Sequence, residues 1–424
     1  DAAPETADTG GDTVNPHRGL EAIGAPPELD GAGDAITNLL NLPGEDQTNN
    51  PLLPEKLATP KNDLDARAIT KLMTKRRGRP SPETIEQLGG SDATERAIGS
   101  ALEWLARNQE GDGRWDMRKH GANGDFDTAG AGLALLCFYG WGETHNKGGK
   151  YQANVKRALE WLLRQQKENG DLRGGGRMYC HGIAAIALCE AYGFTKDPKL
   201  KEPAERAIGL IVSSQSPSKG GWRYNPANAQ GAPSNDSDLS VTAWQYMALH
   251  SARLAGLEVS DEPFTRAQKY MASVASGTHG GLYAYTGGGP NPAMTASGMF
   301  CRQLDLVPPT DPRMPEGADY LGRHKFNNNP DYYYVYYATL ALYQHQGPVW
   351  KEWNDNLKDT FPRIQNKIGN NRGSWDPGGR HANAGGRVVS TTLAVLSLEV
   401  YYRLLPMYGF RGASDLPDAK KRGR

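Results

Sequence analysis

A chain of 424 residues is long enough for two or three ordinary domains, or for one large body if it is built of repeats. Its 48 Lys and Arg balance its 48 Asp and Glu, so nothing global points to nucleic acid or to an anionic membrane surface. The longest apolar run, Ala129 to Trp141, carries three glycines and is too short to cross a bilayer, so it reads as a buried helix and no transmembrane segment is expected. Cys137, Cys180, Cys189 and Cys301 fall in apolar helical segments without CxxC spacing. They read as buried free thiols.

Residues 1–90 form the first region, an extended Pro/Gly-rich arm with short helices. Leu64, Ala68, Ile69 and Leu72 share one face of a helix predicted over Asp63 to Lys75. The run Lys75, Arg76, Arg77, Gly78, Arg79, Pro80 breaks it, and Ser81 with Pro82 starts a second brief helix ending near Gly89. That run resembles the core of a minor-groove hook, but one short basic run reads as a solvated linker, and nucleic-acid binding is not expected. The arm is expected to reach a protein partner or a second copy of the chain. Its opening, DAAPETADTGGDTV, suits the residues after a signal-peptidase cut, so a periplasmic or secreted protein is expected.

From Ser91 the pattern becomes regular. Asp92 and Glu95 read as a capping pair, and Ala97, Ala101, Trp104 and Leu105 follow at helical spacing. That outer helix ends at Asn108 and Gln109, the turn Gly111 to Trp115 follows, and an apolar inner helix runs from Phe126 to Tyr139. The pattern then recurs. Outer helices are predicted over Gln152 to Gln166, Lys201 to Gln215, Pro263 to Ser276, Pro315 to Lys325 and Trp350 to Lys367. Inner helices are predicted over Tyr179 to Tyr192, Ser240 to Leu254, Ala293 to Leu304, Tyr332 to Gln344 and Val388 to Leu405. The joining turns carry Gly174 to Gly176, Gly221 with Trp222, Gly280 to Tyr283, and Gly373 to Trp375; the fifth pair has no Gly-Trp turn.

The period of these six pairs is roughly fifty to sixty residues. Outer helices are amphipathic and charged, whereas inner ones are apolar nearly all round, as helices buried on every side must be. An open solenoid leaves each helix a wet face; closing the pairs into a ring buries the inner set and removes the need for end caps. The fold expected is therefore an all-α (α/α)6 toroid of six helix hairpins over residues 91–410, followed by a basic tail, 411–424.

Helix pairs joined in this way resemble the terpenoid cyclase and protein prenyltransferase superfamily, with its prenyltransferase and squalene oxidase repeat. Trp104, Leu105, Gln109, Gly113 and Trp115 carry the W-L-x-x-x-Q…G-x-W pattern; Gln215, Gly221 and Trp222, and Gln365, Gly373 and Trp375, carry parts of it. The resemblance covers residues 91–405 and implies the toroid. Cyclases of that kind use D-x-D-D-T-A at the head of an inner helix. Setting Thr242 and Ala243 on the last two positions leaves Asp238 on the first and puts Ser240 where the acid would stand, and a serine hydroxyl cannot protonate an alkene. In the first repeat, Asp125, Phe126, Asp127, Thr128 and Ala129 resemble the motif with one Asp deleted. The zinc sites of prenyltransferases imply a Cys where this chain has Ser240 and a His where it has Tyr334, although Asp238 and Trp244 match. One carboxylate, a serine and a tyrosine do not make a zinc site. No metal or cofactor is expected, and the familiar chemistry is expected to be lost.

The inner-helix N-termini are expected to converge on the centre of the ring, each with free N–H groups and a positive dipole end. Asp127, Asp238 and Asp331 stand there as candidate acids, with helix capping as their structural alternative. Tyr179, His181, Trp222, Ser240, Trp244, Tyr332, Tyr333 and Tyr334 are candidate ligand-binding residues around a small lipid or sugar. Cys180 and His181 are adjacent on one helix and diverge by about 100°, which suits them poorly as nucleophile and base. The function expected is an exported binding or scaffold toroid; the alternative is an enzyme using the cavity on an isoprenoid or a polysaccharide.

Overall fold

A computed structural model describes residues 85–86, 89–226, 236–379 and 382–403. The arm helices and basic run expected between Asp63 and Pro82, and the tail at 411–424, lie outside the described residues. Six helix pairs follow in chain order: α1 (Asp92–Arg107) with α2 (Asp127–Gly140), α3 (Gln152–Gln165) with α4 (Met178–Thr195), and α5 (Pro198–Ser213) with α6 (Leu239–Ala255). Then come α7 (Glu262–Ser273) with α8 (Pro292–Leu304), α9 (Arg313–Arg323) with α10 (Tyr332–His345), and α11 (Gly347–Ile364) with α12 (Ala382–Leu398), which the short α13 (Val400–Arg403) follows. The fourth turn adds a small antiparallel pair, β1 (Ala275–Ser276) and β2 (Leu282–Tyr283).

The even-numbered helices form the inner ring. Each packs on the next, α2 on α4 through to α10 on α12, and α12 returns to α2; outside them α11 packs against α1. Every residue of α2 from Asp127 to Tyr139 is buried, whereas α3 buries only Val155, Ala158, Leu159, Trp161 and Leu162. That is the predicted division between inner and outer sets, and it is why the ring closes: an inner helix has no face that water could take.

Two boundaries differ from expectation. The cap of α1 is Ser91 with Thr94, each side chain accepting the other's backbone N–H, and not Asp92 with Glu95. Thr94 can do this because its hydroxyl returns to the Ser91 backbone, while Glu95 is buried against the body. The last inner helix starts earlier than expected and is broken at Gly386 (φ 60°); its run to Leu398 pauses at Glu399 and resumes as α13 to Arg403, and the predicted end at Leu405 lies outside the described residues. Upstream, Ile85 is buried in the core and the Gly89 carbonyl accepts from Asn354 Nδ2 at 2.9 Å, so the last residues of the predicted arm lie on the toroid.

The repeated Gln, Gly and Trp have one geometric task each. The turn tryptophan donates its indole N–H to a last-turn carbonyl of its own outer helix: Trp115 to Leu105 at 2.9 Å, Trp222 to Ile211 at 2.7 Å, Trp375 to Phe361 at 2.9 Å. That satisfies carbonyls which a helix end leaves without partners. The glutamine amide bridges repeats. Gln109 donates to Gly113 O and to Asn154 O of α3, both at 2.9 Å. Gln215 donates to Gly220 O at 2.7 Å and to Pro263 O of α7 at 2.8 Å. Gln365 closes the circle, donating to Gly373 O at 2.9 Å and to Ala97 O of α1 at 2.8 Å. The fourth turn has no such glutamine; there Glu316 of α9 accepts the backbone N–H groups of Thr278, His279 and Gly281.

Glycine lets the next outer helix come this close. A Cβ at Gly113 would lie 2.2 Å from Arg157 O of α3, and one at Gly373 would lie 2.1 Å from Ser100 O of α1. Both glycines have positive φ, 107° and 93°. Gly373→Ala is therefore expected to cost about 2–4 kcal/mol in urea denaturation, through backbone strain and a forced gap at the closing contact. Gly148→Ala, where a Cβ meets nothing within 4 Å, is expected to stay within about 0.5 kcal/mol of the parent. Equal effects at the two positions would contradict the closure argument.

Candidate functional site

The heads of α4 and α6 meet at the centre of the ring. Asp238 is the N-cap of α6; its Oδ1 accepts from Val241 N at 2.8 Å and from the Ser240 hydroxyl at 2.6 Å. The Ser240 hydroxyl also contacts the Tyr179 hydroxyl of α4, so carboxylate, serine and phenol form one chain. Asp238 is fully buried, and its Oδ2 has no hydrogen-bond partner among the described residues. Burial pushes the Asp238 carboxyl up to about 6; the bonds from Ser240 and Val241 and the charge of Arg223 oppose the rise. Burial, with the Asp238 charge next, also holds the Tyr179 phenol well above its ordinary value.

Above this chain lies an aromatic and cationic rim. The hydroxyls of Tyr224 and Tyr285 touch. The Arg223 guanidinium sits 5.2 Å from the Tyr224 ring and 5.7 Å from the Tyr285 ring, and Arg177 also sits 5.2 Å from the Tyr224 ring. Arg223 also pairs with the exposed Asp236 at 3.1 Å. The Tyr270 hydroxyl ties the rim down through Ser237 O at 3.0 Å and Tyr285 O at 3.2 Å.

Toward the other side of the ring, Trp244 stacks on Tyr336 (5.7 Å, 10°) and meets Tyr337 edge-on at 5.5 Å. Tyr333 packs on Tyr337 at 5.1 Å and lies within the field of Asp238. Tyr179, Ser240, Trp244 and Tyr333 are thus brought together with Asp238. The other candidates stand elsewhere. Tyr332 packs on Phe361, and the Tyr334 hydroxyl donates to His324 O at 2.6 Å while its ring meets Trp353; both face the outer helices. Trp222 is a turn residue bonded to α5.

His181 faces the outer wall. Its Nδ1 accepts from Leu172 N at 3.1 Å, which leaves Nε2–H to donate to Ala207 O at 2.9 Å. Burial lowers its pKa to about 4, so it stays neutral. It does the task that a threonine does in other repeats, where Trp222, Tyr283 and Trp375 donate their backbone N–H to Thr242, Thr295 and Thr391. The adjacent Cys180 thiol is pushed up to about 12 by burial, which keeps it from acting as a thiolate.

Asp127 and Asp331 stand at the heads of α2 and α10. Asp127 accepts Met117 N at 3.0 Å and pairs with Arg114 at 2.7 Å; burial raises its pKa against both partners. Asp331 caps α10 through Tyr333 N at 3.1 Å and Tyr334 N at 3.3 Å. The three candidate acids lie on alternate members of the ring; Asp238 and Asp331 cap their own helices, whereas Asp127 ties the head of α2 to Met117 and Arg114 of the preceding turn.

Sequence reasoning missed Arg177, Arg223, Tyr224, Tyr270 and Tyr285. A signal for two of them exists: Trp222 and Tyr283 fill the same turn position, and Tyr224 and Tyr285 each follow two residues later. Among the described residues no group of His, Cys, Asp and Glu is arranged to hold a metal ion, and no helix is long and apolar enough to cross a membrane.

No protein-family model matches the sequence, and no curated protein is similar to it. Solved structures do share the fold. The alpha-1,6-mannanase GH76A of Salegentibacter sp. HEL1_6 matches with a TM-score of 0.51 and 12% identity, over 73% of this chain and 99% of that one. An inactive variant of that mannanase in complex with alpha-1,6-mannotriose matches with a TM-score of 0.52 and 11% identity, over 73% and 99%. The type II terpene cyclase MstE from Scytonema matches with a TM-score of 0.48 and 12% identity, over 74% and 99%. The mannanase has the same closed ring of helix pairs, and the chain is an (α/α)6 toroid.

The raised Asp238 carboxyl has a thermodynamic consequence of definite sign. A group whose folded pKa rises from 3.8 to about 6 contributes stability that is present below the unfolded value and lost as pH rises through the folded one. Asp238→Asn keeps the Oδ1 acceptor and removes the titration. Between about pH 4 and pH 7.5, denaturation should shift in favour of the variant, relative to wild type, by on the order of 3 kcal/mol. A pH-independent difference would contradict the placement of Asp238.

Proposed function

We propose that this toroid is a binding or scaffold body and that its centre performs no turnover. One observation carries this reading: Tyr179, Asp238, Ser240, Trp244, Tyr336 and Tyr337, which stand where a substrate would lie, each expose 2% or less of their surface. Interiors packed to this degree leave no room for an isoprenoid or a sugar chain. Tyr179, Ser240 and Asp238 bond to one another, and Asp331 to its own helix start, so interaction falls to the outer surface. The mannanase and cyclase share the ring, and a shared toroid does not bring their reactions with it.

A second reading is favoured by one detail. The Asp238 carboxyl is held near 6 with Oδ2 unpartnered, as suits a general acid that works close to neutral pH. In that reading the centre opens to admit substrate, and Tyr179 and Ser240 orient the acid.

Incubation with alpha-1,6-linked mannooligosaccharides and with geranylgeranyl substrates, followed by mass spectrometry of products, separates the two. The scaffold reading predicts no product from either substrate above the level given by Asp238→Asn. Turnover that disappears in Asp238→Asn, with the circular dichroism spectrum unchanged, would overturn it in favour of the second reading.

A further inference from the structure

The seam where the ring closes carries a basic groove that the centre of the toroid does not explain. Two adjoining hollows, of about 600 Å³ and about 570 Å³, lie between α1 and the loop after α11 and share Arg372. Arg96, Arg107, Lys367 and Arg372 line them; the one acidic group in the lining, Glu103, is already paired with Lys150 at 2.7 Å. None of the four cations has an ion-pair partner among the described residues. Arg107 donates to Arg372 O at 3.0 Å and the Lys367 ammonium to Pro362 O, so neutral carbonyls hold both heads in place. Ile368, between the lining residues Lys367 and Gly369 in sequence, is 84% exposed. Elsewhere on the outer helices, charges commonly pair within one helix, as Lys156 does with Glu160, Arg206 with Glu202 and Lys351 with Asp355. A groove with four cations and a single carboxylate, itself bonded to Lys150, has an excess of positive charge that repels itself and favours an anionic occupant.

The chain carries such an occupant. Residues 1–50 hold ten acidic residues against one arginine, Arg18, with Val14, Leu20, Ile23 and Leu29 among them. The chain enters the described body beside the groove: Gly89 is bonded to Asn354 of α11, and Ala93 and Arg96 in the first turns of α1 are part of the lining. The 34 residues between position 50 and Ile85 can span up to about 110 Å, far more than the groove is long. A tether of that length keeps the segment at an effective concentration of about millimolar, which favours its own chain over a second copy.

We propose that the acidic stretch 1–50 docks in the basic groove of its own chain, as a strap across the seam that Gln365 and Gly373 close. Its carboxylates pair with Arg96, Arg107, Lys367 and Arg372, and Ile368 meets an apolar residue of the strap. This inference does not depend on what the centre of the toroid does.

Zero-length carbodiimide cross-linking of the full chain tests it, using an equal mixture of ¹⁴N- and ¹⁵N-labelled protein at low concentration. The expected product joins Lys367 to an acidic residue within 1–50, in same-isotope pairs only. Its yield should fall roughly fivefold in half-molar salt, where charges are screened beyond a few ångströms. In the double variant Arg96→Glu, Arg372→Glu the link should disappear, while the Lys150–Glu103 link persists as the internal control for folding. Mixed-isotope links would assign the groove to the arm of a second copy and overturn docking in its own chain. Absence of any Lys367 link alongside a normal Lys150–Glu103 link would overturn docking altogether, as would an undiminished link in the double variant.

Discussion

A buried glutamine amide holds this ring together. Where it is present, one N–H closes its own turn and the other reaches the neighbouring outer helix, so that one side chain fixes both the hairpin and its partner. Each bond contributes about 0.5–1.5 kcal/mol net, but losing the amide would leave two buried carbonyls unsatisfied, which costs more than the bonds give. The glycine beside it, whose missing Cβ leaves space for a backbone carbonyl, sets the distance between repeats. The last glutamine and the last turn glycine meet α1, so the device that spaces the repeats also closes them.

Fixing the turns fixes the inner helices. The second, third, fourth and sixth turns each hand an aromatic or apolar N–H to a Thr or His at the head of the following helix, which aims that head at the axis. The polar groups gathered there stabilise one another: Asp238 takes Ser240 and Val241, Ser240 takes Tyr179, and Asp331 takes its own helix start. Aromatic rings from α6 and α10 fill the remaining space by stacking and edge contacts. The result is a centre that resembles a protein core more than a pocket, with Asp238 Oδ2 among the buried polar atoms that have no hydrogen-bond partner within the described residues.

The fold was legible in the sequence because it rests on local, repeated rules. A fifty-to-sixty-residue period, apolar helices without a wet face, and Gln, Gly and Trp in fixed order are all visible along the chain. The centre was only half legible. Asp238, Ser240, Tyr179 and Trp244 could be read because they stand at predicted helix heads. Arg177 and Arg223 could not, and the shared turn position of Tyr224 and Tyr285 did not reveal that they meet, since that depends on how the turns of neighbouring repeats face each other. His181 was misleading for a related reason: a helix head has an inner and an outer side, and only packing decides which one a residue takes. Tyr332 and Tyr334 share a helix turn with Tyr333 and still point to the outer wall, because successive residues diverge by about 100° around a helix.

The central claim is that the toroid's own side chains occupy its centre. Crystals soaked with alpha-1,6-mannotriose and with geranylgeranyl diphosphate test it most directly. The account predicts Trp244 still stacked on Tyr336 and the Tyr179–Ser240–Asp238 chain intact, with no ligand density between them. Density for either compound against Asp238 Oδ2, with Trp244 displaced from Tyr336, would contradict it.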